Sequence, residues 1–161
     1  MQTAIITLAE HEIRQAVDVA VRRQLTAWGM DLRPVHGQQK RGDHWQNQIT
    51  GALGELAVAK FFGYYWHTPT LDETDGIPPD VGPLEVRATE WHPAHLYVHD
   101  YDRQAPYVLA IIKRNRVKLA GWAYKDDVEH GGEYCPTPTH PTWRLHQDHL
   151  RPISDLLNIT Q

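Results

Sequence analysis

Apolar positions along the chain divide it into two helices followed by a run of strands. Ile13, Val17, Ala20, Val21, Leu25 and Trp28 recur at helical spacing, and Gly29 offers a stop. Ahead of them, Thr7-Leu8-Ala9-Glu10 has the form of a capping box. A second helix is predicted from about Asp43 to Phe62, with Ile49, Leu53, Leu56, Phe61 and Phe62 on its apolar face and Gly63 as its end. Tyr64-Tyr65-Trp66-His67 reads as a short strand, and Leu84 to Ala88 as another. Leu96-Tyr97-Val98 follows, then Tyr107 to Ile112 and Val117 to Ala123, the last two forming a hairpin. Ala110-Ile111-Ile112 is continuously apolar, as expected of a central strand covered on both faces. A short helix over Tyr124 to His130, a Pro-rich loop over 131–142, a strand from Trp143 and a Pro152-led helix packing Leu156 and Leu157 complete the chain. The expectation is an α/β domain, a mixed central β-sheet flanked by helices, with no internal repeat and no second domain across residues 1–161.

Length and composition narrow this picture only a little. A chain of 161 residues, 41% hydrophobic and 22% charged, suits one globular domain with a substantial core. A net charge of -4 means that any nucleic-acid surface must be a local basic patch. The single cysteine, Cys135, rules out an intrachain disulfide and suits a reducing compartment. With no membrane-length apolar run and no signal pattern, a cytoplasmic location is expected. Eleven histidines invite a search for zinc, but neither His92, His95 and His99 nor Cys135 with His130 and His140 has a zinc-site spacing.

The chemistry concentrates in Pro79-Asp80-Val81-Gly82-Pro83-Leu84-Glu85-Val86-Arg87. Strand alternation puts Glu85 and Arg87 on one face and Leu84, Val86 and Ala88 on the other. The preceding turn brings Asp80 to the same sheet edge, which assembles two carboxylates and a cation as a seat for a divalent metal and a phosphate. Upstream, Gly51-Ala52-Leu53-Gly54-Glu55 places two glycines inside a helix. Each costs about 1 kcal/mol against alanine, so each calls for a reason such as close backbone approach. Glu55 emerges there from small apolar neighbours, and a partly buried carboxylate needs a partner. Two carboxylates about 4 Å apart repel by roughly 4 kcal/mol at an effective dielectric of about 20, so such a cluster persists only when protonated or neutralised by a cation. Oxygen ligands alone favour Mg2+ or Mn2+ over zinc.

A helix with Gly-x-x-Gly-Glu, then Pro-Asp, then Glu-x-Lys on a strand is the pattern of the restriction-endonuclease-like nucleases, and residues 43–123 resemble it. Glu55 matches the helix glutamate, Pro79-Asp80 the first half of the PD-(D/E)xK motif and Glu85-Val86-Arg87 the second. The resemblance implies a metal-dependent phosphodiesterase acting on DNA, with Asp80 and Glu85 as ligands of Mg2+ or Mn2+ and Glu55 as an additional or water-mediated one. Its small size is similar to that of phage-encoded proteins, and a homodimer is an arrangement many such nucleases use.

One departure stands out. Arg87 occupies the lysine position, and arginine can clamp phosphate or meet transition-state charge but is a poor general base. Lys60 and Lys113 are the substitute bases to consider, and Asp75 is the second choice to Asp80 as ligand. Phosphate contacts are expected from the hairpin tip, Lys113, Arg114 and Arg116, and from Lys40 and Arg41 in the basic stretch 30–42. The alternative is a catalytically weakened nuclease-fold module that binds nucleic acid without turnover. A purely structural protein is the third reading.

Overall fold

The computed structural model describes residues 2–29, 44–68, 78–136 and 140–159. A four-stranded mixed sheet, ordered β1-β5-β4-β2, lies at its centre. Its strands are β1 (Ala4–Thr7), β2 (Glu85–Thr89), β4 (Pro106–Lys113) and β5 (Arg116–Tyr124). β2 runs parallel to β4, and the other two pairings are antiparallel. One face carries α1 (Glu10–Gly29), α2 (His44–Phe62) and α4 (Ile153–Leu157). The chain is therefore α/β with a mixed sheet, as its apolar pattern indicated.

β4 shows why this sheet is central. Val108, Ala110 and Ile112 point into the helical core, whereas Tyr107, Leu109 and Ile111 point into a second one. Helices do not close that second face alone. A three-stranded antiparallel sheet covers it, ordered β3-β7-β6 and built from β3 (His95–His99), β6 (Glu133–Cys135) and β7 (Thr142–His146), together with α3 (Lys125–Gly131). Alternation explains the second sheet, because Leu96, Val98 and Leu145 are buried while the residues between them face outward. β6 falls inside the stretch expected to be loop.

Three other local expectations change. Thr7 ends β1 and does not cap α1; the Glu12 carboxylate instead accepts the Ala9 amide at 2.7 Å. The buried stripe of α1 is Ala16, Val19, Ala20 and Gln24, while Leu25 and Trp28 are exposed. Small residues win that stripe because α1 lies close against α2. Tyr64 to His67 forms no strand, although Trp66 is buried in the core.

α2 is the central helix, and residues 52–59 are buried without a break. It ends as expected, with Gly63 at φ +73 and the Tyr64 amide returning to the Ala59 carbonyl at 3.0 Å. A Cβ on Gly54 would sit 2.7 Å from that of Ala88 and 3.3 Å from that of Ala110, so this glycine lets the helix backbone touch β2 and β4. Gly51 has nothing within 4 Å of its missing Cβ and no such role. Among the described residues, no helix is long and apolar enough to cross a membrane.

Candidate functional site

β2 is the outermost strand on its side of the central sheet. Val86 is buried under α2, while the register pairs Glu85 with Tyr107 and places Glu85 and Arg87 on the second-core face. A tight turn folds the preceding segment back on β2. Val81 and Leu84 exchange two backbone hydrogen bonds, of 3.0 and 2.9 Å, around Gly82 at φ +54. Asp80 is thereby laid beside the strand, where its Oδ2 accepts the Val86 amide at 2.8 Å. The Pro/Gly-rich spacing thus brings Asp80 to Glu85, close enough for each carboxyl to act on the proton affinity of the other.

Glu55 comes from α2. Arg23 on α1 grips both its oxygens, Nη1 to Oε1 at 2.7 Å and Nη2 to Oε2 at 2.8 Å, and the Trp66 indole donates to Oε2 at 3.0 Å. Asp80 stands between the two groups of charges, coupled to Glu85 and Arg87 on one side and to Arg23 and Glu55 on the other. The three acids named from the sequence therefore do share one neighbourhood. Glu55 has found its partner in Arg23, a bidentate ion pair that takes both carboxylate oxygens.

Arg87 is also held firmly. Its Nη2 donates to Asp102 at 2.8 Å, its Nε to the Tyr97 carbonyl at 3.3 Å, and its guanidinium lies 4.9 Å from the Tyr107 ring centre. Asp102 Oδ2 also accepts the His99 amide at 2.8 Å. Buried Lys125 fixes that turn from behind, donating to the Asp100 and Asp102 carbonyls at 2.7 and 2.8 Å. Arg103 Nε stands 2.8 Å from Glu85 Oε1, close enough for strong attraction but misaligned, so this buried oxygen has no hydrogen-bond partner.

Proton affinities follow from this packing. Burial first, and then the charge of Glu85, push the Asp80 carboxyl up to about 6, against the pull of the Val86 amide and Arg87. Burial likewise raises Glu85, against Arg103 and Arg87. Two desolvated carboxyls side by side disfavour each other's charge, so losing one proton makes the other harder to lose. Burial raises Glu55 too, opposed by Arg23. Asp102 behaves oppositely: burial would raise it, but His99 and Arg87 outweigh that and hold it well below the usual carboxylate range.

The donor set can be tested for a cation. Asp80 and Glu85 supply hard oxygens, a mutual repulsion that a cation would relieve, and a buried Glu85 oxygen that faces the Arg103 charge without a hydrogen bond, all of which fit Mg2+ or Mn2+. Glu55 fits less directly, since Arg23 and Trp66 occupy its oxygens. Among the described residues no three acids, histidines or cysteines are already arranged to hold a metal.

The remaining expected residues lie elsewhere. Lys113, Arg114, Asn115 and Arg116 are all exposed at the hairpin tip. Lys113 is six residues along β4 from Tyr107, the register partner of Glu85, which is roughly 20 Å at the rise of a strand. Lys60 donates to Glu12 at 2.8 Å and to the Thr7 carbonyl at 3.1 Å. Lys40, Arg41 and Asp75 lie outside the described residues. The sequence reading missed Arg23, Trp66, Asp102 and Arg103. Arg23 had a signal, since it falls at helical spacing on the stripe of Ala16, Val19 and Ala20. Asp102 had none, because only the packing of the second sheet on the central one brings the turn after β3 to Arg87. Comparison with family models, curated proteins and solved structures finds no match.

Proposed function

We propose that this chain is a metal-dependent nuclease of restriction-endonuclease-like type that hydrolyses phosphodiester bonds, with DNA as its expected substrate. The observation that carries this reading is the adjacent Asp80 and Glu85 carboxyls at an outer strand, with Arg87 and Arg103 beside them. Mg2+ or Mn2+ held by these two carboxylates would supply Lewis-acid polarisation of the phosphate and a more acidic attacking water. Arg103, whose side chain is 42% exposed, would exchange its contact with Glu85 for one with the phosphate. Arg87, locked by Asp102 and Tyr97, presents a fixed positive charge to the charge that develops in the transition state. Glu55 and Arg23 hold α1 and α2 in register behind Asp80 and tune its charge.

The test is incubation of plasmid, and separately of circular single-stranded DNA, with purified protein in Mg2+ or Mn2+. Cleavage of at least one should appear with the wild type and vanish in Asp80→Ala and Glu85→Ala. Cleavage that survives in both variants, or its absence on both substrates with every divalent ion, removes the nuclease reading. A second reading, a nuclease-fold module that binds nucleic acid without turnover, is favoured by the guanidinium in the lysine position and by the engagement of Lys60 elsewhere. It predicts retained binding with no product.

A further inference from the structure

The face of the second sheet that turns away from the core carries a row of rings with Arg144 among them. Leu96 and Val98 of β3 point inward and are fully buried, so alternation sends His95, Tyr97 and His99 outward in a row. Across the pairing with β7, Arg144 stands opposite Tyr97 and His146 opposite His95. Arg144 pairs with Glu133 at 2.6 Å. The His95 and His146 rings meet edge to face at 5.0 Å, with His149 6.4 Å beyond His146, which also faces Asp148 at 3.4 Å. At the other end of the row, His99 stacks on Tyr101 at 5.1 Å and 14°. Tyr97 and Tyr101 remain 40% and 43% exposed.

This row is joined to the candidate centre. The Tyr97 carbonyl accepts Arg87 Nε, and Asp102, next to Tyr101, accepts Arg87 Nη2. Outward residues of a strand repeat about every 6.6 Å, close to twice the 3.4 Å step of stacked bases, so a stretched strand can lay one base per ring. Aromatic platforms bind unpaired bases, whose faces are free, and not a duplex, whose faces are consumed in its own stack. Arg144, once it exchanges Glu133 for a phosphate, supplies the charge that a nucleic-acid backbone complements.

We infer that the outer face of the β3-β7-β6 sheet binds unpaired nucleotides, which makes single-stranded nucleic acid the substrate class of the Asp80–Glu85 centre; this rests on the nuclease reading of that centre. The experiment measures anisotropy of a labelled 15-nucleotide single-stranded DNA, and of the same sequence as a duplex, with the intact protein in EDTA. Single strands should bind at least 10-fold more tightly than the duplex. Tyr97→Ala should weaken them by roughly 5- to 150-fold, the range that one stacked base is worth, while Tyr97→Phe, which keeps the ring, should bind within about 3-fold of wild type. Arg144→Gln should lower both affinity and its salt dependence. Preference for the duplex, displacement by heparin with no preference for bases, or unchanged binding by a folded Tyr97→Ala overturns the inference. Single-strand binding without cleavage in Mg2+ or Mn2+ sinks the nuclease reading alone. Cleavage of duplex DNA that is indifferent to Tyr97→Ala sinks this inference alone.

Discussion

Two glycines three residues apart on one helix should respond to alanine with opposite signs. In a helix interior, Gly→Ala gains about 0.8–1 kcal/mol from backbone entropy alone. At Gly51 nothing lies within 4 Å of the new methyl, so Gly51→Ala should stabilise the protein by about 0.5–1 kcal/mol. At Gly54 the methyl arrives 2.7 Å from Ala88 Cβ and 3.3 Å from Ala110 Cβ, against an optimal carbon separation of about 3.5–4.0 Å. Both obstacles are Cβ atoms fixed to strand backbone, which no rotamer change can clear, so the helix must shift. Overpacking of this kind costs about 1–3 kcal/mol, which cancels or outweighs the propensity gain and leaves Gly54→Ala about 0–2 kcal/mol below wild type. Urea denaturation followed by circular dichroism, with m unchanged, separates the two variants by about 0.5–3 kcal/mol on this arithmetic. Ala88→Gly added to Gly54→Ala should recover part of the loss. A Gly54→Ala protein as stable as Gly51→Ala would show that α2 does not rest on β2 as described. Glu55 follows Gly54, so the same shift would pull its carboxylate from Arg23 and Trp66.

Three further outcomes follow from the charge cluster. Arg23→Ala leaves the buried Glu55 carboxylate without its bidentate partner and should cost about 3–5 kcal/mol by denaturation; Arg23→Met with Glu55→Met, which removes both charges, should recover most of it. Asp80→Asn should raise stability in EDTA by up to about 3 kcal/mol at pH 8, from a rise of 3.8 to about 6 in proton affinity. An acid whose folded value is raised destabilises progressively as pH rises between those values, so this gain should fade by pH 4; an equal effect at both pH values would refute it. Asp102 has the opposite sign. Its lowered proton affinity stabilises the fold above about pH 4 and is lost as pH falls further, so Asp102→Asn should flatten the acid limb of the stability profile, measured as Tm against pH.

Local chemistry made α2, the hairpin and the short helix after it legible before any coordinates, because periodicity, a left-handed glycine stop and a two-residue turn act within a few residues. The same holds for Asp80 beside Glu85, since the turn between them is written in Val81-Gly82-Pro83-Leu84. β1, β6 and the pairing of β3 with β7 into a second sheet were not legible. Three- and four-residue strands carry too little pattern, and the partners of β1 and β3 lie far along the chain. Residue identity alone likewise named Glu55, Asp80, Glu85 and Arg87, but not what each would touch. That Glu55 meets Arg23, that Arg87 meets Asp102, and that Gly54 has a reason where Gly51 has none were decided by which backbones pack together. A buried charge takes whatever opposite charge the fold brings within hydrogen-bonding distance, and spacing along the chain does not encode that.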